Sequence, residues 1–152
     1  MLTAQVHSYR SDPAVPSFPD DRPVIVFDGV CALCSGFVRF VLRHDRKTGF
    51  RFAPAQSGLG TALYRHYGLA TDHWESNLLI AEGRLFLRSD AAIEIVSRFG
   101  GAWSLIRWLR VIPRSWRDRL YDLIAGNRYR WFGRHDYCAM PDPKLADRFL
   151  GA

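Results

Sequence analysis

The apolar positions of this chain change period where a short oily run gives way to a longer amphipathic stretch. The run Val24 to Phe27 is β-branched and aromatic and stops at Asp28, so it predicts a buried strand. The next apolar residues share one helical stripe: Cys34, Phe37, Val38, Val41 and Leu42. Arg39 and Arg43 fall on the opposite face. The pattern therefore predicts a strand followed by a helix that turns Cys34 inward.

The same reasoning predicts the remaining elements. Residues 50–53 alternate as a second strand, and Ser57 is placed to cap a second helix. Residues 77–87 predict a β-hairpin with a glycine in its tight turn. Ser89 is placed to cap a third helix, which a pair of glycines should stop. Two further helices, separated by Pro113, are predicted after it.

The predicted order β-α-β-α-β-β-α is that of a thioredoxin-like core in the α/β class, with two helices on one side of a small mixed sheet and one on the other. Residues 23–101 are predicted to form this core, and residues 102–138 a helical extension of the same domain. Residues 1–22 contain several prolines and aspartates and no apolar run, so they predict a flexible tail. Residues 139–152 are predicted to be a second tail.

Composition narrows the class of protein. A chain of 152 residues, 48% of them hydrophobic, is long enough for one domain with its own core. It shows neither the apolar core of a signal peptide nor a run of about 18 apolar residues that could span a bilayer. A soluble, cytoplasmic protein is expected. No nucleotide or flavin motif is present, so no cofactor is predicted.

The net charge of +6 comes from 19 arginines and 2 lysines against 15 acidic residues, and it favours anionic partners. Eight arginines lie between Trp103 and Arg134 among several tryptophans. One interpretation is a helical cap whose arginines are simply solvated. The other is a basic, aromatic surface that contacts an acidic protein or a membrane surface. Nucleic acid is not expected, because no nucleic-acid-binding motif accompanies the charge.

Two cysteines, Cys31 and Cys34, follow the first predicted strand and are three positions apart, about one helical turn. Cys31 is placed at the start of the helix, where unpaired backbone N–H groups and the helix dipole favour a thiolate. The spacing predicts that Cys31 attacks a disulfide and that Cys34 resolves the mixed disulfide. Two thiols so placed can alternatively hold a metal.

Asp28 supports two interpretations. It is either a turn residue whose carboxylate accepts backbone N–H bonds, or a group that carries a proton to or from Cys34. Gly29 gives the backbone the freedom that the turn from strand to helix needs. Gln56 and Ser89 follow the second and fourth strands, and with Gly29 they are candidates for lining the site.

Asp28, Cys31 and Cys34 spell DxxCxxC, and with the blocks FRFAPAQS, LRSDAAIEI and NRYRWFGRHDYC the chain resembles the DCC family of predicted thiol-disulfide oxidoreductases, a widespread bacterial family. The resemblance runs from about Val24 to Cys138. It implies a thioredoxin-like enzyme that acts on a protein or small-molecule disulfide or thiol.

A rival hypothesis is a module without catalysis that binds zinc or docks to a protein. His135 and Cys138 form an HxxC pair, which together with the CxxC makes a four-ligand set of the kind that zinc uses. The two pairs are about a hundred residues apart, whereas a closed zinc site usually lies between loops. Exchange chemistry is therefore the preferred prediction.

Overall fold

The structure is a computed structural model, which describes residues 8–18, 20–28, 32–45, 49–69, 78–127 and 130–131. Its strands are β1 (Val24–Phe27), β2 (Arg51–Pro54), β3 (Leu78–Ala81) and β4 (Arg84–Leu87). Its α-helices are α1 (Ala32–His44), α2 (Gly58–His66), α3 (Arg88–Ser97) and α4 (Arg114–Gly126). The described residues also form two 3-10 helices, η1 (Ser8–Ser11) and η2 (Gly101–Val111).

The four strands form one mixed sheet in the order β2-β1-β3-β4. β1 runs parallel to β2 and antiparallel to β3, which in turn pairs antiparallel with β4. Phe27 lies opposite Pro54, and Leu78 lies opposite both Val26 and Leu87. One end of the sheet, called here its carboxyl end, therefore collects the ends of β1, β2 and β4 and the start of β3. The predicted α/β class and core order are confirmed.

The core lies in two layers, one on each face of the sheet. Ile25 and Phe27 of β1 pack on the side of α1 and α3, whereas Val24 and Val26 pack on the side of α2. This alternation follows from the period of two in a strand. Both faces are covered, which explains why β1 reads as an unbroken apolar run. The predicted arrangement of two helices on one side and one on the other is confirmed.

The hairpin between β3 and β4 turns at Glu82 and Gly83, with φ angles of 50° and 75°. Positive φ at both central residues is what a tight type I′ hairpin requires. The predicted hairpin is therefore confirmed, and it sets the register that brings the end of β4 back to the carboxyl end of the sheet.

The described part of the amino-terminal segment differs from the flexible tail that was expected. Tyr9 in η1 is only 3% exposed and packs in the same layer as α2. Its hydroxyl donates to Asp20 Oδ2 at 2.8 Å. His66 contacts Ser8 Oγ through Nε2 and Asp12 Oδ2 through Nδ1, each at 2.8 Å. The Tyr9 ring, the partly buried Val15 and Phe18 and a few polar contacts thus hold residues for which composition alone predicts a tail.

Alkaline pH should weaken this packing. Burial, followed by the hydrogen bond to Asp20, raises the pKa of the Tyr9 phenol above its ordinary value. The stabilisation that the protonated Tyr9 phenol contributes is therefore fully present below the pKa of about 10 that a tyrosine has in the unfolded chain. It is lost as the pH rises beyond that value. Urea denaturation between about pH 9 and pH 11 should show a steeper loss of stability in the wild type than in Tyr9→Phe. Burial also raises the pKa of Tyr67, which both proteins share, so equal slopes would contradict the role of Tyr9.

The extension consists of η2 and α4 with Pro113 between them, as predicted, although the first helix is 3-10 and not α. η2 contacts the core through Ile106 and through the ring of Trp103, whose centroid lies 5.6 Å from that of Phe40. α4 packs on α3 through polar side chains, described below. No helix within the described ranges has the length and apolarity needed to cross a bilayer.

Candidate functional site

The carboxyl end of the sheet brings together Asp28 and Gln56, two of the predicted site residues. Asp28 directly follows β1 and is 1% exposed. Gln56 Nε2 donates a hydrogen bond of 2.7 Å to Asp28 Oδ1. A buried carboxyl group needs hydrogen-bond donors to be tolerated, and the amide of Gln56 is one of them. The pair also fixes the orientation of the carboxyl plane.

A continuous set of short-range contacts positions Gln56. The pairing of β1 with β2 extends by one bond, from Ala55 N to Phe27 O at 2.7 Å. Ser57 Oγ then donates to Pro54 O at 2.6 Å and accepts from Gly60 N at 3.0 Å. The predicted cap of α2 by Ser57 is confirmed, and it holds the turn that carries Gln56 toward Asp28.

Gly60 permits the close approach of α2 to the end of β2. A Cβ atom at this position would lie 2.1 Å from Pro54 O, far inside any real contact distance. A glycine is therefore required by space and not by backbone conformation. The sequence does not show which glycine of α2 is needed for this close approach. Gly58, two residues earlier, looks equivalent in the sequence, yet a Cβ atom there would meet open space.

The structure describes only part of the CxxC segment. α1 begins at Ala32, the residue after Cys31 in the sequence, and Cys34 is its third residue. Gly29, Cys31 and the side chain of Cys34 lie outside the described residues. The inward position of the Cys34 side chain and the place of the Cys31 thiol at the start of the helix therefore stay predictions. The rest of α1 agrees with the predicted stripe, because Val38 and Val41 are buried.

Ser89 does not play the predicted capping role. α3 begins at Arg88, its cap residue is Leu87, and no side chain caps it. Ser89 Oγ instead donates to Asp118 Oδ1 at 2.5 Å and accepts from Arg117 Nη1 at 3.1 Å. The prediction of a cap was wrong because α4 packs on the first turn of α3, where its Arg117 and Asp118 side chains form hydrogen bonds with the Ser89 hydroxyl. Ser89 lies at the carboxyl end of the sheet, but these two bonds lead to α4 and not to Asp28.

Basic side chains that the sequence did not single out also reach this end of the sheet. Arg117 is almost buried and donates to Asp90 Oδ1 at 3.0 Å, and Arg114 pairs with Asp90 Oδ2 at 2.8 Å. Because α3 follows β4 directly, this cluster lies two strands from β1, about 10 Å away across the sheet. Nothing in the sequence distinguishes Arg117 from the other arginines of the extension.

The residues of the proposed zinc site lie outside the part of the chain that the structure describes. Within the described ranges no group of three or more His, Cys, Asp or Glu side chains could hold a metal ion. Cys31, His135, Cys138 and the side chain of Cys34 all lie outside those ranges. The four-ligand set therefore stays a prediction.

The sheet order, the helices on both faces and a CxxC at the start of the first helix after β1 define a mixed α/β protein of the thioredoxin-like class. The sequence model of the DCC1-like thiol-disulfide oxidoreductase family matches residues 25–134. The chain belongs to this family.

Two relatives extend the comparison. The chain is 39% identical over 127 residues to the uncharacterized protein YuxK of Bacillus subtilis, which covers 84% of this chain and 93% of the relative. It is 39% identical over 122 residues to a chloroplastic DCC family protein of Arabidopsis thaliana, covering 80% of this chain and 71% of the relative. The family thus extends beyond bacteria. No solved structure matches the chain.

Proposed function

We propose that the protein exchanges disulfides through the dithiol of Cys31 and Cys34, with Asp28 handling the proton of the second thiol. Membership of a thiol-disulfide oxidoreductase family supports redox chemistry in general. The observation that carries the finer proposal is the buried Asp28, held by Gln56 and three residues ahead of Cys31. A buried carboxyl at the end of a strand, directly before a CxxC, is well placed for proton transfer.

In the first step the Cys31 thiolate attacks one sulfur of a substrate disulfide. A bond forms between Cys31 Sγ and that sulfur, the substrate S–S bond breaks, and the other substrate sulfur leaves as a thiolate that takes up a proton. Backbone N–H groups in the first turn of α1 and the helix dipole favour the attacking anion. Arg39 and Arg43 are exposed on α1, with Arg39 about 10 Å beyond the helix start, so their contribution is small.

In the second step the Cys34 thiol transfers its proton to the Asp28 carboxylate and attacks Cys31 Sγ. The Cys31 to Cys34 disulfide forms, and the bound substrate sulfur leaves as the second thiolate. Two electrons have then passed from the protein to the substrate. An external dithiol must return two electrons and become a disulfide itself, and Asp28 returns its proton to Cys34, which restores the Cys31 thiolate and the Cys34 thiol. The two protons that the dithiol loses balance those taken up by the two substrate thiolates.

The substrate class is a disulfide of a protein or a small molecule, which the exchange mechanism requires. Such a cycle depends on a supply of reducing thiols, so we place the protein in a reducing compartment such as the cytoplasm. Ser89, whose bonds lead to α4, supports the position of the extension beside the site and takes no part in the exchange.

A trapping experiment tests the proposal. Oxidised glutathione is added to the reduced full-length chain carrying Cys138→Ser, alone or with Cys34→Ser or Cys31→Ser. Mass spectrometry should find one glutathione adduct on Cys31 in the Cys34→Ser protein, because the resolving thiol is missing. The protein with both CxxC thiols should instead contain the Cys31 to Cys34 disulfide, and Cys31→Ser should prevent fast reaction.

Two other results would contradict the exchange mechanism. Equal, slow reaction of both thiols, with rates that follow an ordinary thiol of pKa about 8.5, would refute the exchange mechanism. Native mass spectrometry of the unmodified wild type provides the comparison with the zinc hypothesis. A bound zinc ion that protects Cys31, Cys34 and Cys138 from alkylation would favour a metal-binding module.

A further inference from the structure

The large exposed apolar side chains are confined to the extension. Within the described part of the chain, all eleven large hydrophobic residues that are substantially exposed lie between residues 103 and 131. Trp108 and Val111 are 71% and 77% exposed, and Leu120 and Leu123 are 61% and 54% exposed. Single exposed apolar residues are ordinary, whereas a contiguous set on two successive helices indicates an interaction surface. We call this surface, on η2 and α4, the apolar strip.

α4 is oriented opposite to a usual surface helix. Trp116, Leu120, Leu123 and Ile124 follow the spacing i, i+4, i+7, i+8 that normally marks the face turned to the core, yet all four are exposed. The helix instead turns Arg117 and Asp118 toward Ser89 and Asp90 of α3. The stripe cannot rotate inward without breaking these bonds. The amphipathic pattern of α4 is therefore directed at something outside the domain.

The surroundings of the apolar strip are basic. Residues 101–131 contain seven arginines against two acids, Asp118 and Asp122. Arg107 and Arg119 are exposed, and neither forms an ion pair with another described residue. Arg110, Arg114 and Arg117 are already paired with Glu94 or Asp90. An anionic partner would therefore gain the burial of apolar side chains and the neutralisation of at least Arg107 and Arg119.

We propose that the apolar strip binds the surface of an anionic lipid bilayer. Tryptophan and leucine side chains enter the headgroup region, and the flanking arginines contact lipid phosphates while their aliphatic stems stay among apolar groups. Tryptophans together with arginines on amphipathic helices are the composition that membrane interfaces select. The two helical segments extend for about 20 Å each, so they present a line of side chains suited to lying in the plane of a membrane.

The charge disfavours a second copy of the chain as the occupant. A dimer formed through the apolar strip would bring the arginines of both copies together, with Asp122 as the one exposed acid between 101 and 131 to offset them. A membrane supplies phosphates over the whole strip. The same contact would hold the carboxyl end of the sheet near the bilayer, because α4 is bound to the first turn of α3.

Sedimentation of the full-length chain with vesicles tests the proposal. Binding to vesicles of equal parts phosphatidylcholine and phosphatidylglycerol should exceed binding to pure phosphatidylcholine by at least about 10-fold, and added salt should reduce it. The double variant Leu120→Ser with Leu123→Ser should lose most of this binding, because both side chains are exposed and their replacement spares the core.

A charge-matched pair of variants separates the strip from net charge. Arg107→Ser with Arg119→Ser removes two charges beside the strip, whereas Arg65→Ser with Arg84→Ser removes two exposed charges elsewhere. The first pair should weaken binding at least about 10-fold and the second should change it little. An equal loss in both pairs, or no binding to either vesicle, would overturn the proposal.

The other occupants of the strip have their own signatures. If a second copy covers it, analytical ultracentrifugation should find a dimer that the Leu120→Ser, Leu123→Ser variant converts to a monomer, without vesicle binding. If residues beyond 131 of the same chain cover it, the chain should be a monomer that ignores vesicles. Either result would overturn membrane binding, and neither depends on the exchange chemistry at Cys31.

Discussion

Replacing Asp28 by asparagine should slow the resolution of the mixed disulfide by about 10²-fold at neutral pH while its formation changes little. Asparagine has the same shape and still accepts the hydrogen bond from Gln56 Nε2, so the packing at the end of β1 is preserved. What it loses is the capacity to take the proton of Cys34. Only the second step of the exchange needs that proton transfer.

The pH profile distinguishes a proton carrier from a merely structural residue. In Asp28→Asn the resolving step should recover as the pH rises toward about 8.5, where an ordinary thiol ionises without help. Stopped reactions followed by alkylation and mass spectrometry measure the two steps separately. A uniform loss at every pH and in both steps would assign Asp28 a structural role.

Asp45 offers a matched control. It is also a buried carboxylate, and it accepts backbone bonds from Gly49 and Phe50 just beyond the far end of α1. The 13 residues of α1 separate it from the carboxyl end of the sheet by about 20 Å. Asp45→Asn should therefore affect stability without changing the ratio of the two exchange rates. A selective slowing of resolution in this variant would remove the argument for Asp28.

Replacing Gly60 by alanine should destabilise the protein by about 2 to 3 kcal/mol. The new Cβ would meet the carbonyl oxygen of Pro54 at 2.1 Å and Ala55 Cα at 2.8 Å, and both are backbone atoms that cannot rotate away. α2 would have to move off the end of β2. That movement should break the bond from Gly60 N to Ser57 Oγ and loosen the turn that holds Gln56.

Gly58→Ala is the matched control for this prediction. Gly58 is the first residue of the same helix, and an added Cβ there meets nothing within 4 Å. Alanine is the better helix former, so the variant should be neutral or more stable by up to about 1 kcal/mol. Urea denaturation measures both free energies of unfolding. Equal stabilities for the two variants would show that α2 and β2 separate easily.

Most of the fold could be predicted because its signals are local. The apolar run of β1, the stripe of α1, the cap at Ser57 and the turn at Gly83 each depend on residues close in sequence. Their order, combined with the short connections, leaves few ways to form a sheet. Such local patterns do not predict that Tyr9 packs beside Leu63 and Tyr64 of α2, because that contact joins segments more than fifty residues apart.

The candidate site likewise has one part that local sequence predicts and one part that depends on distant residues. The sequence selected Asp28 and Gln56 because each follows a predicted strand, and the structure brings them within 2.7 Å. The position of Ser89 before an apolar stripe predicts a cap, yet its hydroxyl donates to Asp118 of α4. A capping signal is local, whereas the competition from Arg117 and Asp118 comes from nearly thirty residues away.

By itself, the sequence determined the order of the elements, the family motif and the position of the CxxC at the start of the first helix, since all three depend on neighbouring residues. Only the tertiary structure decided that Gly60 must lack a side chain, that Gln56 holds Asp28 and that α4 turns its apolar stripe outward. Periodicity shows that a helix has two faces. Which face meets the domain depends on the partners that the other face finds, and for α4 those partners are the polar groups of α3.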